Sequence, residues 1–267
     1  SAGSLRLPTH PGYFSVSHND VLDAAVAAGS PIEQAVAVFM LHPETLAEST
    51  AAGYHNPIAG YVAGRGGVLG EATAVTVTSV FVVFEPNLLR GLWEEGVAVR
   101  GATGAAEMYC EQVAGFGRRH LAGAEGLDRI AALGEKIIAA TPDAGLPLYA
   151  GWRTMPLADD PPAWSLQVMH VLRELRGGVH FTALTISGIT PVEAHMLNKG
   201  HQYAAMFGWP EPFADGADKK DRYAEVEQAT NRRMAEIFAA ALTPDEADEL
   251  ARLSTGALAS LKAAAAT

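Results

Sequence analysis

Two short segments hold most of the residues in this chain that could do chemistry. They are Arg173-Glu174-Leu175-Arg176-Gly177-Gly178-Val179-His180 and Thr190-Pro191-Val192-Glu193-Ala194-His195. Guanidinium groups recognise carboxylates and phosphates through a planar fork of donors. Imidazoles exchange protons near neutral pH. The set therefore suits anion recognition joined to acid–base chemistry. In an alanine- and valine-rich chain, polar groups this dense must be paired, solvated or functional, because burying them unpaired is costly.

Each residue also has a simpler reading. Glu193 is the fourth residue of a Thr-x-x-Glu capping box and needs no further role. That cap does not explain His195, two positions on and on another side of the helix, which could approach His180 across the turn. His170 and Glu174 are four apart, so they share a helix face as metal ligands or as a plain intrahelical pair. No spacing here matches a strong metal signature such as His-Glu-x-x-His, and no metal site is assigned. Arg173 and Arg176 either hold an anion or pair with Glu174 and Glu193 to lock two helices together.

Elsewhere the chemistry is sparse. Arg65 lies in Gly64-Arg65-Gly66-Gly67, which lacks the Lys-Ser/Thr of a phosphate-binding loop. No Gly-x-Ser-x-Gly elbow occurs. Cys110 sits beside Glu111, an acid that disfavours its thiolate, and reads as a core residue. Trp152, Trp164, Tyr203, Phe207 and Trp209 could wall an apolar pocket.

The elements that must position these groups are helical. Asn19 or Asp20 caps a helix through Ala28, and Ser30-Pro31-Ile32-Glu33 opens the next. His42-Pro43-Glu44 and Asn56-Pro57 start two more. Residues 72–84 are strand-like in their Val/Thr content but bounded like a helix, and the helical reading is preferred. Helical periodicity runs from Thr103 to Leu121 and from Leu127 to Ala140. A helix after Pro162 should end at Gly177-Gly178, with His180–Ile186 and Pro191–Lys199 forming two further helices. Residues 208–217 form a loop where a winged-helix protein would carry its wing. Long helices follow, from about Asp218 to Ala240 and from Thr243 onward. The Pro- and Gly-rich segment 141–162 divides the chain. The division is an irregular arm (1–18), an N-terminal helical unit (19–150) and a C-terminal unit (151–267).

Composition narrows the function classes. The 267 residues are 49% hydrophobic and 18% charged, enough for a sizeable core and unlike a disordered chain. The net charge of -11 disfavours nucleic acid and anionic membranes as main partners. The longest apolar stretch, 72–84, falls short of the roughly 20 residues a spanning helix needs. One cysteine and no signal-peptide pattern point to a cytoplasmic protein.

The pattern Arg173-Glu174-x-Arg176-Gly177-x-x-His180, then Glu193-Ala194-His195, resembles an actinobacterial family labelled helix-turn-helix-like. Gly60-Tyr61, Arg65, Leu69-Gly70 and Phe81-x-x-Phe84-x-Pro86 are similar to it as well. The resemblance spans about residues 40–255. It implies an all-α chain of two fused winged-helix-like units with long C-terminal helices of MarR type. It carries no established activity. The chain departs from the family in having Val83 where relatives often have asparagine, and in a short wing region without a basic tip.

Three functions follow as expectations. The first is binding of an anionic or mixed-polarity small molecule in a cleft between the halves. Tyr61, Arg65, Arg173 and Arg176 would contact that ligand. His180, His195, Glu174 and Glu193 would supply acid–base catalysis if the protein is an enzyme. The second is a winged-helix transcription regulator reading DNA through Pro191–Lys199. The third is a metal- or haem-binding protein. No cofactor is identified, and a homodimer is compatible with the sequence.

Overall fold

The computed structural model describes residues 18–265, and side chains are described for residues 23–264. The arm at 1–17 and the last two residues of the alanine tail lie outside the described residues. Everything described is helix or loop, with no strand. The all-α expectation holds. The wing does not appear: residues 208–216 are a loop with a cis Glu211–Pro212 peptide, and a 3-10 turn follows at Ala217–Lys219.

The first helix, α1 (His18–Leu41), runs straight through Pro31. The expected break at Ser30-Pro31-Ile32-Glu33 is absent. Both sides of Pro31 are anchored in the core, by Ala24, Ala25 and Ala28 before it and Ile32, Ala35, Val36 and Phe39 after it. Burial of that face outweighs one lost backbone hydrogen bond. Asn19 and Asp20 fall inside the first turn, and their side chains lie outside the described residues. By length and composition the segment Asp23–Leu41 is also apolar enough to cross a membrane, a better match than 72–84.

Helices α2 (Pro43–Ala51) and α3 (Pro57–Gly66) begin where expected, the latter capped by Asn56 Oδ1 accepting from Ile58 N. After a short 3-10 turn at Gly67–Leu69 comes α4 (Ala74–Phe81), so the middle of the 72–84 segment is helix and its two ends are not. It stops abruptly because Val82 has φ 56° and ψ -56°, a tight γ-turn closed by Val83 N donating to Phe81 O at 2.5 Å. A β-branched residue at positive φ is strained. Next, α5 (Pro86–His120) is kinked at Arg100–Gly101, where Gly101 has φ 72°. Then come α6 (Leu127–Ala140), as expected, and the short α7 (Pro147–Trp152).

The central element is α8 (Pro161–Ser187). It does not end at Gly177-Gly178, as the sequence suggested. Neither glycine adopts positive φ; Gly188 does, with φ 72°, and the helix stops there. Two adjacent glycines are a stop signal only if one takes the left-handed conformation. The N-terminal half of α8 is core, with Leu166, Val168, Met169, Leu172 and Leu175 buried against α1, α5, α6, α7 and α11 (Lys220–Ala241). The last helix, α12 (Pro244–Ala265), packs along α1. One apolar cluster runs from Ala24 to Leu261 and includes residues on both sides of 141–162.

Between α8 and α11 the chain forms a helix-turn-helix of α9 (Pro191–Asn198) and α10 (His201–Met206), joined through Gly200 at φ 81°. Leu184, Ile189, Ala194 and Val226 give this end of the molecule a second, smaller core.

Candidate functional site

A cavity of about 500 Å³ lies between that helix-turn-helix and the main helical body. Tyr61, Arg65, Arg173, Arg176, His180 and His195 all line it. These six residues come from three helices, α3, α8 and α9. Glu174 and Glu193 are not among its lining residues.

Glu174 lies behind the wall and holds Arg65. The Arg65 Nε and Nη2 donate to the two Glu174 oxygens at 2.7 and 2.8 Å, with both side chains almost fully buried. Burial pushes the Glu174 carboxyl up, but the Arg65 guanidinium outweighs it and holds the acid well below its usual range. Arg65 Nη1 also donates to Tyr61 Oη at 3.4 Å. The Arg65 guanidinium that the cavity meets is thus already neutralised from behind by Glu174.

Glu193 has the structural role its capping box implied. Its carboxylate accepts from Thr190 N at 2.9 Å, Thr190 Oγ1 accepts from Glu193 N, and Lys219 Nζ donates to its other oxygen at 2.5 Å. The expected pairing of Glu193 with the arginines does not form. Arg176 is held instead by Glu33 at 3.0 Å and Glu227 at 3.3 Å, from α1 and α11.

Arg173 is the exception. Its nearest carboxylate is Glu174 Oε1, 3.8 Å away and already bonded to Arg65. Its Nε is buried with no hydrogen-bond partner among the described residues. Lys199 also lines the cavity, is exposed, and has no ion pair among the described residues. The cavity therefore holds two cations whose charge no neighbour fully satisfies.

The histidines do not meet each other; each is held by a different neighbour. His195 Nε2 donates to Val83 O at 2.8 Å, and its ring stacks on Phe207 at 4.6 Å between centroids. A carbonyl can only accept, so the proton sits on Nε2 and Nδ1 is the basic nitrogen. His180 Nδ1 lies 3.4 Å from Thr230 Oγ1 and 3.5 Å from Glu227 Oε1. Since Thr230 Oγ1 donates to Val226 O, His180 Nδ1 carries the proton and Nε2 is its basic nitrogen. Burial lowers the pKa of both imidazoles, opposed by the Val83 carbonyl at His195 and by Glu227 at His180. Both shifts favour the neutral ring, which keeps one unprotonated nitrogen.

His170, weighed as a metal ligand with Glu174, is sealed in the core. It stands edge-on to Trp152 at 4.5 Å, with Tyr109 5.6 Å away, and neither ring nitrogen has a partner among the described residues. Among the described residues no three His, Cys, Asp or Glu side chains are grouped to hold a metal ion. Cys110 is buried, as expected. Burial raises its thiol, and Gln167 Nε2 lies 3.3 Å from the sulfur.

Several lining residues were not legible beforehand. Glu33 belongs to a capping-box pattern and Glu227 to no motif, yet both fix Arg176. The spacing of Tyr223, Glu227 and Thr230 along α11 does mark one helix face directed at α8. The Val83 carbonyl, which accepts from both His195 and Trp209 Nε1, has no side-chain signal at all.

No curated protein and no solved structure matches the chain. A family model described as a helix-turn-helix family matches residues 25–267, nearly the whole sequence. The chain belongs to that helix-turn-helix family.

Proposed function

We propose that this protein binds a small organic anion in the 500 Å³ cavity between its helical body and the α9–α10 helix-turn-helix. The observation that carries this reading is Arg173, a guanidinium at the cavity whose only carboxylate neighbour among the described residues is already taken by Arg65. The Arg173 side chain keeps about a quarter of its surface open, and a guanidinium with no hydrogen bond among the described residues gains from an anion that fills its fork. Lys199 adds a second positive charge, and the basic nitrogens of His180 and His195 offer acceptors for a hydroxyl or acid proton on the ligand. The mixed wall of Tyr61, Phe84, Tyr203 and Phe207 fits a carbon skeleton.

Gly177 provides the test. It lines the cavity, and a Cβ there would meet no atom within 4 Å. Gly177→Phe should fill the site without disturbing the core. Calorimetric titration with simple carboxylates is expected to show binding to the native chain. Affinity should fall about tenfold or more in Arg173→Gln, and binding should be lost in Gly177→Phe. Equal binding by all three proteins would overturn the assignment.

Family membership supports a second reading, a DNA-binding regulator using α9–α10. The surfaces those helices leave exposed carry Asn198, Lys199, His201, Gln202 and Met206, with one lysine and no arginine. Electrostatic attraction to phosphates would be weak for such a surface on a chain of net charge -11. A gel-shift assay at low salt against promoter fragments decides it. A sequence-specific shift weakened by Lys199→Glu would favour the regulator.

A further inference from the structure

The polar cavity has an apolar neighbour. A second chamber of about 300 Å³ lies on the other side of Arg65, lined by Val80, Val82, Leu146, Leu148 and Phe181. Arg65 and Phe181 line both chambers, while the consecutive residues Val82 and Val83 face one each. The partition is thus one guanidinium, one half-exposed ring and a strained γ-turn. Among the described residues the only charged groups lining the second chamber are Arg65 and Glu174, which neutralise each other. A larger groove along α8 shares Leu146, Thr182 and Ile186 with it, and Ile186 there is 83% exposed.

Resting on the reading above, we propose that the ligand is an amphipathic anion. Its carboxylate or comparable head is held at Arg173, and its aliphatic or aromatic body passes Phe181 into the apolar chamber. Head and body would thus be recognised on opposite sides of the Arg65–Glu174 pair.

The test is calorimetric titration of the full chain with straight-chain carboxylates from acetate to decanoate, with decanol as the uncharged control. Each methylene that enters the chamber should tighten binding about fourfold, and decanoate should bind far more tightly than decanol. Thr185 and Ser79 are exposed positions at the chamber, on α8 and α4. Thr185→Phe or Ser79→Phe should bring decanoate down towards the affinity of acetate. Alkyl sulfonates and alkyl phosphates of matched length identify the preferred head. Affinity independent of chain length, with Arg173→Gln still weakening acetate, overturns the amphipathic ligand and leaves the anion site standing. Equal binding of decanol and decanoate, or a length dependence untouched by Thr185→Phe and Ser79→Phe, also overturns it. Failure of every carboxylate to bind removes both readings.

Discussion

Arg65 and Glu174, 109 positions apart in sequence, form a two-point buried ion pair that ties α3 to α8 beneath the cavity. Removing one partner leaves an uncompensated buried charge. Arg65→Met or Glu174→Leu alone should cost about 3–5 kcal/mol in urea unfolding, whereas the double replacement should recover much of that loss. Additive losses would show that the pair is not coupled. Because the Glu174 pKa is lowered in the fold, its contribution is complete above pH 4.5 and is lost as the pH falls through the folded value.

His170 acts in a higher pH window. Burial lowers its pKa from 6.5 to about 4, against the pull of Glu174. Below pH 6.5 the unfolded chain takes up a proton that the folded chain refuses, so stability falls as the pH drops from 6.5 towards 4. The full effect is about 3 kcal/mol. His170→Phe should flatten the pH dependence of urea stability across this window. At pH 7 its cost should be small, because neither ring nitrogen forfeits a hydrogen bond. A pH profile unchanged by the substitution would contradict the burial argument.

Two helical glycines should respond with opposite signs. Gly177→Ala places its methyl in open space and should stabilise the protein by up to about 1 kcal/mol. Gly96→Ala drives a methyl to 2.5 Å from the Ala59 carbonyl oxygen, a backbone atom that cannot step aside. Despite the same gain in helix propensity, it should destabilise by about 1–3 kcal/mol. Thermal unfolding of the two variants side by side checks both signs.

Val83 O accepts from His195 at 2.8 Å and Trp209 at 2.9 Å, bracing the strained turn at Val82. Either donor alone still satisfies the carbonyl. The hydrogen-bond share of the loss in His195→Leu or Trp209→Phe should be about 1 kcal/mol. The double variant should lose more than the sum, since the carbonyl is then bare. Strict additivity in a double-mutant cycle would rule out a shared role.

Much of the secondary structure was legible because its determinants lie within a few residues. Asn56-Pro57, Thr190-Pro191-Val192-Glu193 and the periodicity of Leu127–Ala140 each specify an element locally. The same local logic failed at Ser30-Pro31 and at Gly177-Gly178. There, burial against α12 and α11 in one case, and the absence of a left-handed residue in the other, carried the helix through an apparent stop.

The sequence by itself determined that the chain is all-α, and that Arg65, Arg173, Arg176, His180 and His195 are the polar residues to explain. Residue type and spacing carry that much, since charged groups in an alanine-rich helix must find partners. Only the tertiary structure decided which partners they find. Arg65 takes Glu174, Arg176 takes Glu33 and Glu227, and Glu193 returns to its own cap and Lys219. Arg173 is left lining the cavity, about a quarter exposed, with no carboxylate of its own among the described residues. The physical reason is that an ion pair depends on distance in space, and helices far apart in sequence set that distance when they pack.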